Sequence, residues 1–177
     1  MHPDICEILY TEEALARRVD ELARGISICY QGKTPLLISL LKGSFVFMAD
    51  LIRKLTCDCQ VDFMAVSTYG DKSETTGVVR ILKDLDKDIE NLDILVVEDI
   101  LDSGVTLSYI IKLLAARNPA SLRLCTLFNK PSRRRVPVEV DFCGFDIPDA
   151  FVVGYGLDYA EKYRNLPYLG VLSPDCL

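Results

Sequence analysis

The sequence predicts an α/β domain in which a largely parallel, twisted sheet is flanked by helices. Two short runs, 36–41 and 93–97, are apolar on both faces, which is typical of the central strands of a parallel sheet. Segments with helical spacing alternate with these strand-like runs, as they do in βαβ units. The chain has 177 residues, half of them apolar, and we expect a single domain over residues 1–177.

The first part of the chain supplies a helix, a strand and a second helix. Thr11 is a typical N-cap, apolar side chains then recur at helical spacing, and Gly32 can end the helix. The apolar run at 36–41 is too short for a core helix and is predicted to be a strand. The residues at 42–44 (KGS) interrupt the apolar pattern, and the stripe that begins at Phe45 predicts the second helix.

The rest of the chain supplies most of the sheet. Strands are predicted at 61–69, 78–82, 93–97, 121–128 and 138–145. The helix after the third of these strands begins near Leu107 and ends near Asn118 and Pro119. Residues 70–77 (GDKSETTG) contain no apolar side chain that could anchor them, so this segment is predicted to be a mobile loop.

Composition and charge disfavour several classes of function. The formal net charge of -6 argues against nonspecific binding to nucleic acid. No apolar run approaches the ~18 residues that a membrane helix needs, so no membrane association is expected. The opening residues, MHPDICEILY, are acidic where a signal peptide is basic, so we expect no export and a cytoplasmic location.

Histidine and cysteine are poorly placed for metal or nucleophile chemistry. His2 is the only histidine, which disfavours Cys-His and Ser-His-Asp nucleophiles. Cys57 and Cys59 are the only close pair among seven cysteines, so a zinc site would have to recruit distant thiols, and small buried thiols are the simpler interpretation. Lys130 and the three arginines at 133–135 leave two alternatives open: a solvated loop or a site for an anionic partner.

The segment VVEDILDSGVTL, residues 96–107, ends a buried strand in adjacent acids. Because ligands of open α/β sheets bind at the carboxyl ends of the strands, we expect Glu98 and Asp99 to leave the strand there, either hydrated or beside a cation. Residues 102–106 (DSGVT) predict a tight turn whose backbone N–H groups and hydroxyls can bind phosphate. Phosphate donors beside acids that suit sugar hydroxyls or Mg²⁺ point to a phosphorylated ribose. No P-loop motif and no G-x-G-x-x-G motif occurs, so a P-loop NTPase is excluded and a Rossmann domain is unsupported.

This segment resembles the phosphoribosyl-pyrophosphate (PRPP) motif of the type I phosphoribosyltransferases. From Leu36 onward, nearly the whole chain resembles the bacterial-type hypoxanthine (hypoxanthine–guanine) members of that family. The other points of resemblance are LKG at 41–43, STYG at 67–70, Lys130, and FVVGYGLDYAEKYRNLPY at 151–168. The resemblance implies the type I fold, with a small hood built from the N- and C-terminal segments. It also implies transfer of 5-phosphoribose from PRPP to N9 of a 6-oxopurine, giving IMP or GMP and pyrophosphate, with Mg²⁺ as cofactor.

The resemblance also implies a role for each matching residue. Asp102 would be the acid/base group at purine N7. PRPP and its 5′-phosphate would be bound by Glu98, Asp99, Asp102, Ser103, Gly104, Val105 and Thr106. Pyrophosphate would be bound by Lys42, Gly43 and Arg164, and the purine by Lys130, Phe151, Val152 and Asp158. Glu98 and Asp99 would hold Mg²⁺, and Asp158 would hold a second Mg²⁺, largely through water. Thr68 and Tyr69 would open the mobile loop.

Some implications and alternatives lie outside these roles. The resemblance implies a cis peptide at Leu41–Lys42, places Arg134 near pyrophosphate, and favours a homodimer or homotetramer. A regulator with the same fold could bind PRPP without turnover, and a relative could transfer to adenine, orotate or uracil. The negative net charge and the simultaneous presence of Asp102, Lys130, Phe151 and Asp158 favour an enzyme that acts on 6-oxopurines.

Overall fold

The structure, a computed structural model, describes residues 1–69 and 78–177. The strands are β1 (Ile5–Tyr10), β2 (Leu36–Leu41), β3 (Gln60–Tyr69), β4 (Val78–Lys83), β5 (Asp93–Leu101), β6 (Ser121–Asn129), β7 (Phe142–Asp146), β8 (Val152–Val153) and β9 (Leu169–Leu172). The helices are α1 (Glu12–Cys29), α2 (Phe45–Ile52) and α3 (Val105–Ala115), with short 3-10 turns at Pro131–Arg133 and Pro174–Cys176.

The main sheet has six strands in the order β4-β3-β2-β5-β6-β7. All neighbours are parallel except β3 and β4, which are antiparallel. The two runs that are apolar on both faces, β2 and β5, lie side by side at its centre, with Leu36 opposite Ile94. The predicted α/β class and largely parallel sheet are confirmed.

Successive side chains of the central strands point into two different cores. Leu37 and Leu95 pack against α1 and α2 on one face of the sheet, whereas Ile38 and Val96 pack against α3 on the other. Burial on both faces explains why these strands do not alternate between polar and apolar residues. Thr11 caps α1 as predicted, because its Oγ1 accepts a hydrogen bond from the backbone N–H of Ala14 at 3.3 Å.

A second sheet forms the small hood. Its three antiparallel strands have the order β1-β9-β8, so the N-terminal and C-terminal segments pair with each other, as in Ile5 with Leu172. The residue patterns do not predict these strands. β8 has only two residues and β9 only four, and β1 (ICEILY) is largely apolar although only its first residue is fully buried.

Three element boundaries differ from the prediction. β5 continues to Leu101 because its pairing with β6 continues to Asn129, so Glu98 and Asp99 do not leave the strand as expected. β7 begins at Phe142 rather than at 138. α1 ends at Cys29, and Gly32 follows in a turn with φ of +74°.

The lengths of the described helices and the burial of the cysteines bear on two further expectations. No helix within residues 1–69 and 78–177 is long and apolar enough to cross a membrane. All seven cysteines are free thiols. Only Cys125 is fully buried, whereas Cys6 is exposed and the other five are partly buried, so the expectation of buried thiols is met fully at one position only.

Candidate active site

A cleft of about 650 Å³ opens where the carboxyl ends of β2, β5 and β6 meet the segment that follows β8. Nine of the predicted site residues line it: Lys42, Gly43, Asp99, Asp102, Lys130, Phe151, Val152, Asp158 and Arg164. A second groove, of about 620 Å³, lies along α1 and α2 and contacts only Arg164 of these residues. Residues that are far apart in the sequence, from Lys42 to Arg164, therefore meet in one cleft.

The acidic end of β5 is buried and poorly compensated. Asp99 is 6% exposed, and its Oδ1 accepts a hydrogen bond from the N–H of Ile100 at 2.7 Å. Burial raises the pKa of Asp99 to about 6. Burial, together with the neighbouring Asp99 carboxylate, raises the pKa of Glu98 well above its ordinary value. One carboxylate oxygen of Glu98 is buried and has no hydrogen-bond partner among the described residues.

The loop after β2 presses directly against this acidic strand end. A side chain at Gly43 would place its Cβ 1.8 Å from Asp99 Oδ2, so the Asp99 carboxylate would have to move to admit it. The Leu41–Lys42 peptide before it is cis, as the resemblance implied. Gly156 lies on the other side with φ of +99°, and a Cβ there would lie 2.2 Å from the carbonyl oxygen of Gly43. The residues at 41–43, the end of β5 and the segment after β8 thus form one closely packed unit.

The turn at 102–106 joins β5 to α3. Gly104 adopts φ of +81°, and a Cβ there would lie 2.4 Å from the carbonyl oxygen of Val136. The carbonyl oxygen of Ser103 accepts hydrogen bonds from the N–H groups of Arg135 and Val136, at 2.9 and 3.1 Å. The start of α3 leaves its first N–H groups without acceptors inside the helix, which is the arrangement that binds phosphate.

Two adjacent arginines of the cluster at 133–135 make different contacts: Arg134 bonds to the backbone, and Arg133 lines the cleft. Arg134 donates through Nε to the carbonyl oxygen of Asp102 at 3.1 Å and through Nη2 to that of Leu101 at 3.3 Å. Arg133, rather than Arg134, lines the cleft, with Nε 3.2 Å from Asp102 Oδ1 and Nη1 3.3 Å from Asp149 Oδ1. Asp102 Oδ1 is buried and makes this ion pair without a well-aligned hydrogen bond. Arg133 therefore faces the carboxylate to which the family resemblance assigns the acid/base role.

Lys130 is the one buried lysine or arginine among the residues that the structure describes. It is 6% exposed, its Nζ donates to the carbonyl oxygen of Ala150 at 2.7 Å, and burial lowers its pKa. Phe151 is 42% exposed and contacts Tyr159 edge to face at 5.2 Å between ring centroids. Val152 is buried in β8, opposite Val171. A buried ammonium beside an exposed aromatic ring is suited to a flat ligand with an acceptor oxygen.

Arg164 and Asp158 face the opposite side of the cleft. Arg164 donates through Nη1 to the carbonyl oxygen of Gly156 at 2.8 Å, and its Nη2 lies 2.8 Å from Asp158 Oδ1. Its Nε is buried and has no hydrogen-bond partner among the described residues. Glu161 also lies here, with its carboxylate 3.1 Å from Lys42 Nζ. Charges of both signs therefore surround the pyrophosphate side predicted from the sequence.

Other predicted residues lie beside the cleft or beyond the described part of the chain. Glu98 lies in β5 and Ser103, Gly104, Val105 and Thr106 in the turn and first residues of α3, next to the cleft lining. Thr68 and Tyr69 are the last residues of β3. The predicted mobile loop at 70–77 lies outside the described residues. Sequence reasoning missed Glu161 and the cleft position of Arg133, because neither spacing nor periodicity distinguishes them from surface charges.

The comparisons with known proteins agree with this geometry. The family model of the phosphoribosyl transferase domain matches residues 6–160. The chain is 51% identical over 174 residues to the hypoxanthine-guanine phosphoribosyltransferase of Bacillus subtilis (strain 168), with 98% of this chain and 97% of that protein covered. It is 53% identical over 166 residues to the hypoxanthine phosphoribosyltransferase of Escherichia coli (strain K12), with 93% of each covered. The crystal structure of a hypoxanthine phosphoribosyltransferase from Staphylococcus aureus superposes with a TM-score of 0.96 at 48% identity and covers 99% of this chain and 96% of that one.

Proposed function

The chain belongs to the phosphoribosyl transferase family, and we propose that it is a purine salvage enzyme that transfers 5-phosphoribose from PRPP to N9 of hypoxanthine, and of guanine. The products would be IMP or GMP and pyrophosphate. One observation carries the proposal. A single cleft holds Lys130 and Phe151, which suit a 6-oxopurine, together with Asp99, Asp102 and Arg164, which suit PRPP.

The turn at 102–106 would bind the 5′-phosphate of PRPP. Its phosphate donors would be the N–H groups at the start of α3 together with the hydroxyls of Ser103 and Thr106. The Ser103 hydroxyl already orders the turn, because it accepts a hydrogen bond from the N–H of Val105 at 3.4 Å. Glu98 and Asp99 would accept hydrogen bonds from the ribose hydroxyls. Because most of these donors are backbone N–H groups, the apolar side chain of Val105 is compatible with phosphate binding.

The acidic end of β5 has the properties of a Mg²⁺ site. Glu98 has a buried oxygen without a partner, and Asp99 has a raised pKa, so both carboxylates lack the compensation that a cation would give. Hard oxygen donors are the ligands that Mg²⁺ prefers. No group of three or more suitable side chains in the described ranges could hold a metal by itself. Glu98, Asp99 and Asp158 would therefore supply only part of the coordination of Mg²⁺, and oxygens of PRPP would supply the rest. Bound Mg²⁺ would neutralise part of the negative charge of the pyrophosphate.

The pyrophosphate group would leave along the side of the cleft formed by Lys42, Gly43 and Arg164. Breaking the bond between ribose C1 and the pyrophosphate oxygen develops positive charge on the ribose and negative charge on the leaving group. Backbone N–H groups at 42–43 and the Arg164 guanidinium would stabilise that negative charge electrostatically. Close packing of the Gly43 loop against Asp99 would fix these donors relative to the ribose.

The purine would lie against Lys130 and Phe151. Lys130 Nζ keeps two N–H donors beyond the one given to Ala150, so it can donate to purine O6 without losing its backbone contact. Phe151 would stack on the ring, and the backbone at Val152 would bind its edge, with Asp158 closing that side of the site. Asp102 would exchange a proton with N7 as N9 bonds to ribose C1. General acid–base groups of this kind typically contribute ~10²–10⁴-fold to the rate.

An assay of the purified protein with PRPP, Mg²⁺ and each purine base tests the proposal. We expect IMP from hypoxanthine and GMP from guanine, stoichiometric pyrophosphate, and no turnover in excess EDTA. A PRPP-binding regulator would bind PRPP and yield no nucleotide. Turnover with orotate or uracil alone would contradict the assignment of the purine side, and full turnover in EDTA would contradict the role of Mg²⁺.

Three further statements remain proposals. Both sheets contribute to the cleft, which supports a single domain over residues 1–177. We also propose a homodimer or homotetramer, on the basis of the family resemblance. A cytoplasmic location is a prediction from the sequence.

A further inference from the structure

Glu161 lies between two cationic groups on the pyrophosphate side of the cleft, the Lys42 ammonium and the Arg164 guanidinium. Its two carboxylate oxygens lie 3.2 and 3.1 Å from Lys42 Nζ. One of them also lies 3.7 Å from Arg164 Nη2. The side chains of Glu161 and Lys42 are 67% and 66% exposed, so this ion pair lies at the open side of the cleft.

The backbone holds Glu161 in an unusual conformation. Ala160, Glu161 and Tyr163 all have positive φ, at +49°, +63° and +76°, which non-glycine residues rarely adopt. Two contacts support this turn: the Tyr163 hydroxyl donates to Asp4 Oδ2 at 2.7 Å, and the N–H of Glu161 donates to Asp158 Oδ2 at 3.0 Å. These contacts do not involve the Glu161 side chain. The main chain therefore presents its carboxylate to the two cations.

We propose that the Glu161 carboxylate is an internal substitute for the pyrophosphate anion, and that it sets the affinity of the cleft for PRPP and pyrophosphate. This inference rests on the proposed function, because it takes Lys42 and Arg164 as the pyrophosphate side of the cleft. Before PRPP binds, Glu161 offsets the charge of both cations. An entering pyrophosphate group must displace this carboxylate, and the carboxylate returns as pyrophosphate leaves.

A purely structural role does not account for this placement. Ion pairs between side chains that are about two-thirds exposed contribute little to stability. Arg164 is already fixed by Gly156 and Asp158, both at 2.8 Å. The effect of Glu161 should therefore be largest when another anion competes for the same cations.

Glu161→Gln tests the inference, because it removes the charge and keeps the shape of the side chain. Binding of Mg²⁺-pyrophosphate, measured by calorimetry, should tighten by roughly 3- to 10-fold, since two screened ion contacts no longer compete. The KM for PRPP should fall in parallel, and the KM for hypoxanthine should stay the same. The tightening should shrink as the salt concentration rises, because the groups are exposed.

Asp149→Asn is the matched control. It also removes one negative charge, but Asp149 lines the cleft beside Arg133 on the purine side, whereas Glu161 lies beside Lys42 and Arg164. Its pyrophosphate affinity should change by less than about twofold if position rather than net charge decides the effect. Equal tightening in both variants would overturn the inference, as would unchanged or weaker binding in Glu161→Gln. A wild-type protein that binds no Mg²⁺-pyrophosphate would instead contradict the proposed function.

Discussion

Replacing Asp99 by asparagine should stabilise the ligand-free protein while it abolishes activity. The carboxylate is 6% exposed, and its pKa is raised from 3.8 to about 6 by burial. At about 1.4 kcal/mol per pKa unit, this rise means that the charged form costs about 3 kcal/mol near neutral pH. Asparagine fills the same space and can still accept the hydrogen bond from Ile100. We therefore expect Asp99→Asn to raise the free energy of unfolding by up to about 3 kcal/mol near pH 8.

The gain should depend on pH in a defined direction. Because the folded-state pKa of Asp99 lies above the unfolded value, stability falls as pH rises from about 4 to about 6 and is then constant. The advantage of the variant should accordingly shrink by about half near pH 5, where the native carboxylate is mostly protonated. Urea unfolding of both proteins in EDTA, near pH 5 and near pH 8, measures this difference in the free energy of unfolding. A variant that is no more stable than wild type near pH 8, or a gain that is independent of pH, would refute the reasoning.

Asp62 provides the contrasting control. It is 4% exposed, but its carboxylate accepts from the N–H of Phe63 at 2.7 Å and from that of Asp86 at 2.9 Å, and it lies 3.6 Å from Lys83 Nζ. Asp62→Asn replaces an acceptor by a donor beside these groups and should destabilise the protein by about 1–3 kcal/mol. If Asp99→Asn raises the free energy of unfolding and Asp62→Asn lowers it, then hydrogen bonds and nearby cations, rather than burial alone, decide the cost of a buried acid.

Other predictions concern the chemistry and the assembly. Asp102→Asn should keep PRPP affinity within a few-fold and lower turnover by ~10²-fold or more, measured by single-turnover kinetics; unchanged turnover would reduce Asp102 to a turn-forming role. Lys130→Gln should narrow the preference for hypoxanthine over adenine in kcat/KM, mainly by loss of hypoxanthine activity, because glutamine can offer an acceptor as well as a donor; an unchanged ratio would move discrimination to the backbone. Gly43→Ala should abolish detectable turnover, because its Cβ would lie 1.8 Å from Asp99 Oδ2; wild-type activity would mean that the loop can move away. Light scattering should show a dimer or tetramer at micromolar concentration, and a monomer would contradict that proposal.

The main sheet could be predicted because its signals are local. Runs such as 36–41 are apolar on both faces, and the Thr11 cap marks the start of α1, so each element can be identified without knowing its neighbours. The hood could not be predicted from such patterns. The strand Ile5–Tyr10 is defined by a partner more than 150 residues away, and β8 has only two residues, too few for any periodic signal.

In the site, too, features that depend on one contiguous segment could be predicted, and features that depend on tertiary contacts could not. The acids and the turn at 98–106 are contiguous, so their chemistry could be predicted from one segment. The burial of Asp99 was not, because the length of β5 depends on its pairing with β6 as far as Leu101. The contacts of Arg133 and Arg134 also depend on tertiary structure, since adjacent arginines look alike in sequence, yet Arg134 bonds to backbone carbonyls and Arg133 lines the cleft.

The topology of the hood has a consequence for the order of events during synthesis. Every strand of the main sheet lies between residues 36 and 146, so that sheet can form while the chain is still being made. The hood forms later, because β1 and β8 both pair with β9, as in Ile5 with Leu172 and Val152 with Val171. Pairing β1 with β9 closes a loop of most of the chain, which carries the larger entropic cost. A nascent chain that stops before β9 would therefore present the turn at 102–106, proposed to bind phosphate, without the strand that supports Phe151 and Val152. We expect the capacity to use a purine to appear only once β9 has emerged from the ribosome.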